Sequence, residues 1–317
     1  MRQLSSLILL LFLFSCSSEF HEYKTTPDYI NNASGIKKSY YDAYDNTLKT
    51  WNVSYEELYI PTTYGIAHVI VTGSKSAEPI VLFHGMNASS TMWYPNIKAL
   101  SKKHRVYAID FVLETGKSYL YKDFENSEKV NDWYKEVLFV LELDSFHLIG
   151  ASRGGWLATD FAVKNPNRIK SLMLLSPVQT FTWIKPNKDL LKMAASSLTS
   201  KENKVAQTLE SMSSNSKNIS EEYIKQYKMA TEMGGSNKFM ASMKPFSNKD
   251  LKSFKMPVLV LIGDKDIFND EKSLKAAKKL PNAKGEIVQN AGHFLSVDQP
   301  KVVNEKMVNF LKENKQK

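Results

Sequence analysis

The sequence predicts an α/β fold, with a mostly parallel sheet that carries helices on both faces. From about Ile80 onward, short apolar runs typical of buried strands alternate with segments whose apolar residues recur at helical spacing. Hydrophobic residues make up 43% of the 317-residue chain, which allows a sizeable core. No internal repeat is apparent. We therefore expect one main domain that carries an insertion.

The N-terminus has the pattern of a secretory leader. Met1-Arg2 supplies a positive charge, and the apolar run from Leu7 to Phe14 is too short to span a bilayer. Leu13-Phe14-Ser15-Cys16 resembles a bacterial lipobox, although Phe14 departs from the usual small residue. The resemblance implies removal of residues 1–15, lipidation of Cys16, export across the inner membrane and anchoring in the cell envelope. The alternative is an ordinary secretory peptide with an incidental cysteine.

Cys16 is the only cysteine of the chain. A disulfide within the chain is therefore excluded, and no thiol is left for catalysis or metal binding. Residues 16–50 are predicted to form a tether and an N-terminal extension, with a flexible first part because this segment is polar. After it, Glu57–Ile60 and Ala67–Val71 flank a turn and predict a leading antiparallel hairpin.

The pentapeptide Gly150-Ala151-Ser152-Arg153-Gly154 joins a predicted strand to a predicted helix. The strand is the apolar run Ser145–Ile149, and the residues from Gly155 to Val163 show helical spacing. This is the context of a nucleophile elbow, in which small flanking residues let the chain turn sharply and expose the serine Oγ. A plain tight turn is the alternative. Ser152 is thus the candidate nucleophile.

A serine nucleophile needs a base, usually a histidine. His293 follows the strand-like run Gly285–Gln289, precedes the last predicted helix and has Gly292 beside it, which makes it the best candidate. The other histidines have places that suit a base less well: His21 is in a polar leader, His68 in a hairpin strand, His84 in a loop after a strand, His104 at the end of a basic helix and His147 in the strand before Ser152.

Two aspartates are candidates for the acid that orients this histidine. Asp264 and Asp266 both follow the apolar run Met256–Ile262, at the strand end where catalytic groups of α/β sheets gather. The acid is expected between the serine and the histidine in chain order. One of the two aspartates is expected to be a solvated turn residue, and we favour Asp266 as the partner of His293.

Three motifs together resemble the α/β-hydrolase superfamily, and most of all its serine esterase branch. They are Gly-x-Ser-x-Gly-Gly at 150–155, Met-Pro-Val-Leu-Val-Leu-Ile-Gly-x-x-Asp at 256–266, and Gly-His-Phe at 292–294. The resemblance implies an α/β-hydrolase core made of residues 51–176 and 256–317. The family's acid lies three residues after the strand-ending glycine, which matches Asp266.

The resemblance also implies an oxyanion hole. The family's His-Gly pair after the third strand matches His84-Gly85, which assigns one backbone N–H to Met86 and the other to Arg153, the residue after the nucleophile. The Arg153 side chain itself either pairs with a substrate carboxylate or belongs to a structural salt bridge or the solvated surface. Asp110–Ser118 departs from the family pattern because the usual first glycine of this loop is missing.

Residues 177–255 are predicted to form a helical cap over the active site, inserted after the sixth strand, because strand-like runs stop there and helical patterns replace them. Its large apolar side chains are expected either to line an adaptable pocket or to pack the cap on the core. They are Phe181, Trp183, Met193, Met212, Met229, Met233, Phe239, Met240 and Met243.

Composition and motifs exclude several classes of function. The net charge is +9, but the lysines are dispersed and the chain has only four arginines, so a nucleic-acid partner is not expected. Gly116-Lys117-Ser118 resembles the end of a P-loop, yet Phe111 occupies the place of its first glycine. The chain has no H-E-x-x-H, Cys–His cluster or dinucleotide fingerprint, so we expect no metal and no cofactor.

The predicted function is therefore hydrolysis of a small-molecule carboxylic ester through an acyl-enzyme, with a Ser152–Asp266–His293 triad. The same residues can also serve amide, thioester or carbon–carbon hydrolysis, because function is not fixed by a fold. A non-catalytic surface lipoprotein that binds a ligand is the alternative from another class.

Overall fold

The structure is a computed structural model that describes residues 20–196, 201–234 and 243–315. Its strands are β1 (Tyr55–Thr62), β2 (Gly65–Thr72), β3 (Pro79–Phe83), β4 (Arg105–Ile109), β5 (Tyr119–Leu120), β6 (Phe146–Ala151), β7 (Ile169–Leu175), β8 (Val258–Gly263) and β9 (Ala283–Val288). Its helices are α1 (Asp28–Asn31), α2 (Gly35–Lys49), α3 (Ile97–Ser101), α4 (Ser127–Val140), α5 (Arg153–Lys164), α6 (Lys188–Ser196), α7 (Lys201–Met212), α8 (Glu221–Met233), α9 (Asn248–Lys252), α10 (Glu271–Ala277), α11 (Leu295–Asp298) and α12 (Pro300–Glu313).

All described strands belong to one sheet, in the order β1-β2-β4-β3-β6-β7-β8-β9, with β5 paired to β2. The strands from β4 to β9 in this order run parallel. The hairpin β1–β2 is antiparallel, as the sequence predicts. The carboxyl ends of the parallel strands therefore meet at one edge, where the loops after β3, β6, β8 and β9 come together.

The sheet separates two apolar cores, because successive side chains of a strand point to opposite faces. In β3, Val81 and Phe83 pack with Trp133 and Phe161 of α4 and α5. Ile80 and Leu82 pack in the other core, which also contains residues of α2, α3 and α12. Full burial of each such side chain contributes roughly 1.5–3 kcal/mol. The predicted α/β fold, with helices on both faces, is confirmed.

The described residues between β7 and β8 contain no strand, and irregular segments connect their helices α6 to α9. This agrees with the helical pattern of residues 177–255. The strand before the insertion is the seventh, not the sixth, because the two-residue strand Tyr119–Leu120 is too short to be recognised in the sequence.

Residues from Phe20 onward are folded against the core, which differs from the flexible tether expected for the first part of this segment. Tyr40, Tyr44 and Leu48 of α2 are fully buried. Tyr29 donates a hydrogen bond to the Lys117 carbonyl at 2.7 Å. Gln226 of α8 donates to Tyr40 Oη at 3.4 Å, so the N-terminal helix also contacts the helical segment.

A buried group of charged side chains lies beneath α2, and we call Glu57, His68, Asp110 and Lys117 the His68 network. The two ring nitrogens of His68 each lie 2.9 Å from a carboxylate oxygen, one of Glu57 and one of Asp110. Lys117 Nζ lies 2.6 Å from Glu57 Oε2 and 2.6 Å from Asp45 Oδ1. Lys117 thus forms ion pairs with two carboxylates of the protein.

Candidate active site

Ser152 occupies a sharp turn between β6 and α5. Its backbone has φ 53° and ψ −120°, a region that non-glycine residues rarely adopt. Hydrogen bonds hold the turn on both sides, since Ser152 N donates to Leu175 O at 2.9 Å and Gly155 N donates to Ser152 O at 3.0 Å. The strand–turn–helix context predicted for this motif is confirmed.

The glycines around Ser152 allow close approach of backbone segments. A Cβ at Gly154 would lie 2.1 Å from the carbonyl oxygen of Phe83, the last residue of β3. A Cβ at Gly150 would lie 2.3 Å from the carbonyl oxygen of Gly154. Both contacts are with backbone that cannot move aside, so a larger residue at either position would displace the serine turn from the sheet.

Three side chains predicted from the sequence meet at the carboxyl edge of the sheet. His293 Nε2 lies 2.9 Å from Ser152 Oγ. His293 Nδ1 lies 3.1 Å from Asp266 Oδ1. The histidine and the aspartate are buried. The arrangement joins a hydroxyl, an imidazole and a carboxylate in series, which permits a proton to pass from Ser152 to His293.

Asp266 has the environment of a carboxylate that stays ionised. Burial on its own would raise its pKa, but the His293 ring and two hydrogen bonds outweigh that effect and hold the pKa of Asp266 below its ordinary value. Phe268 N donates to Oδ1 at 2.9 Å, and Asn269 Nδ2 donates to Oδ2 at 2.9 Å. These two donors lie two and three residues after Asp266, and they were not predicted from the sequence.

Asp264 contacts the histidine loop but not the imidazole. Its Oδ1 accepts a hydrogen bond from Ala291 N at 2.9 Å, so it has a structural contact rather than being simply a solvated turn residue. Asp298 holds the same loop from the other side by accepting from Gly292 N at 2.7 Å. Sequence reasoning missed Asp298, because a lone aspartate in a helix carries no local signal.

The turn after β3 lies directly beside Ser152. A Cβ at Gly85 would be 3.4 Å from the Ser152 Cβ. Phe111 N donates to His84 Nε2 at 2.8 Å, and burial lowers the pKa of His84, which favours its neutral form. Met86 and Arg153, whose amides were assigned to the oxyanion, both line the pocket that contains Ser152 and His293.

The side chain of Arg153 forms a buried salt bridge with Glu114. Its guanidinium carbon also lies 5.0 Å from the centre of the Phe111 ring. The other oxygen of Glu114 accepts a hydrogen bond from Asn87 N at 2.6 Å. The structural salt bridge is therefore the alternative that the geometry favours for this side chain, and Glu114 is a site residue that the sequence analysis missed.

A mostly apolar pocket opens next to Ser152. It is bounded by Met86, Met92, Tyr94, Met212, Tyr223, Tyr227, Phe268, Phe294 and several smaller side chains. Two of the tyrosines and Met212 come from the segment between β7 and β8.

Most of the apolar side chains that the sequence offered as a pocket lining for residues 177–255 do not line this pocket. Phe181 and Met243 are buried in the core, Met229 and Met233 pack against it, and Trp183 is 61% exposed. Phe239, Met240 and the side chain of Met193 lie outside the described residues. Of the described members of the predicted set, only Met212 lines the pocket.

Comparison with known protein families matches residues 78–300 to the alpha/beta hydrolase fold. The protein belongs to the α/β-hydrolase family. This range contains the turn after β3, the serine turn, the Asp266 loop and the His293 loop. The family expected from the sequence is confirmed, and the protein is a hydrolase.

Two carboxylesterases of Bacillus subtilis are among the relatives of this chain. A Bacillus subtilis protein described as the uncharacterized carboxylesterase nap is 34% identical over 87% of this chain and 93% of its own length. Carboxylesterase YbfK of the same species is 32% identical over 88% of this chain and 94% of its own length. The crystal structure of naproxen esterase from Bacillus subtilis superposes with a TM-score of 0.82 at 32% identity, and covers 88% of this α/β-hydrolase and 99% of the esterase.

The membrane predictions fall on the N-terminus. Among the described residues, no helix is long and apolar enough to cross a bilayer. Cys16 and the leader lie outside the described residues.

Proposed function

We propose that this α/β-hydrolase is a carboxylesterase that cleaves a small-molecule ester through an acyl-enzyme on Ser152. The observation that carries the proposal is the series Ser152 Oγ, His293 and Asp266, with separations of 2.9 and 3.1 Å. The carboxylesterases among its relatives support the choice of ester as the bond that is cleaved.

The reaction proceeds in two halves. His293 Nε2 takes the proton of Ser152 while Oγ attacks the ester carbonyl, and the same nitrogen then protonates the leaving alcohol. Water enters, gives its proton to His293 and attacks the acyl-enzyme, which releases the carboxylic acid and restores Ser152. Asp266 keeps Nδ1 protonated and stabilises the positive charge that the imidazole carries in each half.

The amides of Met86 and Arg153 donate to the oxyanion that forms in each half-reaction. Two features support this assignment, namely the contact of the turn after β3 with Ser152 and the position of both residues on the pocket wall. Removal of one such donor costs about 10²–10³ in kcat in serine hydrolases, but backbone amides cannot be removed by side-chain substitution.

The proposed substrate has an apolar acyl or aromatic group that contacts the tyrosines and methionines of the pocket. The segment 177–255 acts as the proposed cap, supported by the pocket contacts of Met212, Tyr223 and Tyr227. A series of p-nitrophenyl esters of increasing chain length measures the preference. A series of matched esters, thioesters and anilides compares the bond types, and a higher kcat/KM for the thioester or anilide would reject ester hydrolysis.

The test of the catalytic assignment is covalent labelling. A fluorophosphonate probe should modify Ser152, as located by peptide mass spectrometry, and should not modify the folded Ser152→Ala variant. Ser152→Ala should also lower ester turnover on the order of 10³-fold or more. Labelling of another serine, or retention of most turnover by Ser152→Ala, would overturn the assignment. A wild-type protein that is not labelled would favour the binding lipoprotein.

We also propose that Cys16 is lipidated and anchors the enzyme to a membrane of the cell envelope. The support is the lipobox-like sequence Leu13–Cys16. Two or three acyl chains anchor a protein firmly, whereas one chain binds marginally. Intact mass of the mature protein from its native host tests the proposal. An unmodified Cys16, or cleavage at another position, would contradict it, and Cys16→Ser provides the matched control.

A further inference from the structure

A cluster of two histidines and a glutamate lies at the edge of the sheet opposite Ser152. His104 precedes β4, Glu78 precedes β3 and His147 is the second residue of β6. The strands β4, β3 and β6 are neighbours, with Pro79 opposite Arg105 and Ile80 opposite His147. The pairing register therefore brings three residues that are distant in sequence to one place. One ligand atom from each lies within 4.8 Å of the others.

Two atoms of the cluster are buried without a hydrogen-bond partner among the described residues, namely His147 Nε2 and Glu78 Oε2. They lie 4.0 Å from each other, which is too long for a hydrogen bond. The His147 side chain is fully buried. An unpaired polar atom in such a place has a cost in free energy, and native proteins rarely leave it without a partner. The two unpaired atoms, His147 Nε2 and Glu78 Oε2, are therefore close neighbours in the cluster.

The other ring nitrogen of His147 and the other carboxylate oxygen of Glu78 each have a hydrogen-bonding contact with a neighbouring side chain. His147 Nδ1 lies 2.8 Å from Ser171 Oγ, which fixes the ring and leaves Nε2 available. Glu78 Oε1 accepts from Lys170 Nζ at 2.9 Å, so the carboxylate is oriented through its other oxygen. The rings of His104 and His147 are nearly perpendicular, with centroids 6.0 Å apart. Metal-bound imidazoles and carboxylates commonly have such outer hydrogen bonds.

We propose that Glu78, His104 and His147 form a binding site for Zn²⁺. Two imidazole nitrogens and one carboxylate oxygen are a donor set that suits Zn²⁺ rather than Mg²⁺ or Ca²⁺. Tetrahedral Zn²⁺ holds such atoms roughly 3.3 Å apart, as its bond lengths of about 2.0–2.2 Å require. Side-chain movements of about 1 Å or less close the cluster to that size. Water fills the fourth position, and the partly exposed His104 and Glu78 give the ion a path from solvent.

The role of the ion is to link the amino-terminal ends of β3, β4 and β6 and so stabilise them. Its site is at the amino end of β6, whereas Ser152 follows the carboxyl end of the same strand. Zn²⁺ is therefore not part of the hydrolytic reaction. Because the three ligands are assembled only in the folded chain, binding stabilises the folded state by mass action. This inference does not depend on the proposed ester substrate.

The test begins with protein that has been treated with EDTA and dialysed. Zn²⁺ alone is titrated by calorimetry, and Tm is measured with and without the ion. We expect one tight site per chain and a rise in Tm of several degrees at saturation. X-ray absorption of the loaded protein should show two imidazole ligands at about 2.0–2.1 Å.

Substitutions locate the site. Glu78→Gln and His104→Gln should each weaken Zn²⁺ binding at least about tenfold and remove the rise in Tm, while ester hydrolysis without metal stays at the wild-type rate. His147 is too buried to serve as the main test. His21→Gln, at an exposed histidine, and His293→Gln, in the active site, should bind Zn²⁺ like the wild type. The proposal would be overturned if Zn²⁺ did not raise the Tm of the wild type, or if Glu78→Gln and His104→Gln bound Zn²⁺ with the affinity of the wild type.

Discussion

The guanidinium of Arg153 donates to the carboxylate of Glu114 inside the protein. Because Glu114 also accepts from Asn87 N, this salt bridge connects the residue after Ser152 to the turn that contains Met86. The two amides assigned to the oxyanion thus belong to segments that one ion pair holds together. We therefore expect the side chain of Arg153 to support the site rather than to contact substrate.

Arg153→Met should destabilise the protein strongly, because it leaves the carboxylate of Glu114 buried without its partner. Loss of one member of a buried pair costs about 3–5 kcal/mol. The double variant Arg153→Met/Glu114→Gln removes both charges and should recover much of that loss. Urea unfolding measures both values, and a double variant as unstable as the single one would contradict a buried ion pair.

The same substitution tests substrate selection by Arg153. Since the guanidinium is engaged with Glu114, we expect Arg153→Met to change kcat/KM by a similar factor for neutral and anionic esters. A selective rise in KM for the anionic esters would return the guanidinium to the role of a substrate contact.

Asp266→Asn should lower kcat on the order of 10⁴-fold, because Asp266, unlike Asp264, contacts the imidazole of His293 and an asparagine favours the wrong tautomer of that ring. Asp264→Asn should lower kcat by less than about tenfold, since Asp264 binds only the Ala291 amide. Steady-state hydrolysis of a p-nitrophenyl ester compares the two purified proteins. The reverse ranking would assign the acid to Asp264.

Ser152→Gly should be more stable than Ser152→Ala by about 1 kcal/mol, while both variants are inactive. Glycine adopts positive φ without the steric penalty that a Cβ causes at φ 53°. Thermal unfolding of the two proteins gives the difference. Ser101 in α3 is a matched control, because there the glycine variant should be the less stable of the pair. Equal stability of the two Ser152 variants would mean that the serine turn is not strained.

The His68 network should give a maximum in stability at mildly acidic pH. Burial opposes both charges, but His68 and Lys117 hold the pKa of Glu57 at about 2, and the hydrogen bonds to Asp110 and Glu57 raise the pKa of His68. The contribution of the carboxylate is therefore complete above its unfolded pKa of about 4.3 and is lost as the pH falls toward 2. The contribution of His68 is complete below about 6.5 and is lost as the pH rises through its folded value.

Glu57→Gln tests this pH dependence, because the Glu57 side chain is partly exposed and the variant is expected to fold. The difference in Tm between wild type and variant should be largest between about pH 4.5 and 6.5 and should shrink on both sides. A difference that stays constant from pH 3 to 9 would show that the network does not titrate as described.

The sequence was sufficient for the parts of the fold and site that have local signals. Short apolar runs between segments of helical spacing predicted the strands. The motif Gly150-x-Ser152-x-Gly154 predicted the turn that contains the serine. His293 was found by exclusion among only six histidines. The position after a strand gave both Asp264 and Asp266, and the resemblance to the α/β-hydrolase family favoured Asp266. Each of these signals is contained in a short stretch of chain.

The features that were missed depend on contacts between distant residues. Glu114 meets Arg153 across 39 positions, and Lys117 meets Glu57 across 60. The Glu78, His104 and His147 cluster has no sequence motif because its members lie at the starts of three different strands. For the methionines of residues 177–255 the sequence left two alternatives open, a pocket wall or packing on the core, because helical spacing does not distinguish them.

The contacts of α2 determine when this helix completes its structure during folding. Tyr44 donates a hydrogen bond to Asp110, and Gln226 of α8 donates one to Tyr40. The partners of this one helix are therefore spread over most of the chain. Contacts of such long sequence separation form slowly, because a large loop must close before they stabilise anything. We therefore expect α2 to complete its packing only after residues near 226 are in place. A helix near the beginning of the chain would then be among the last to acquire all of its native contacts.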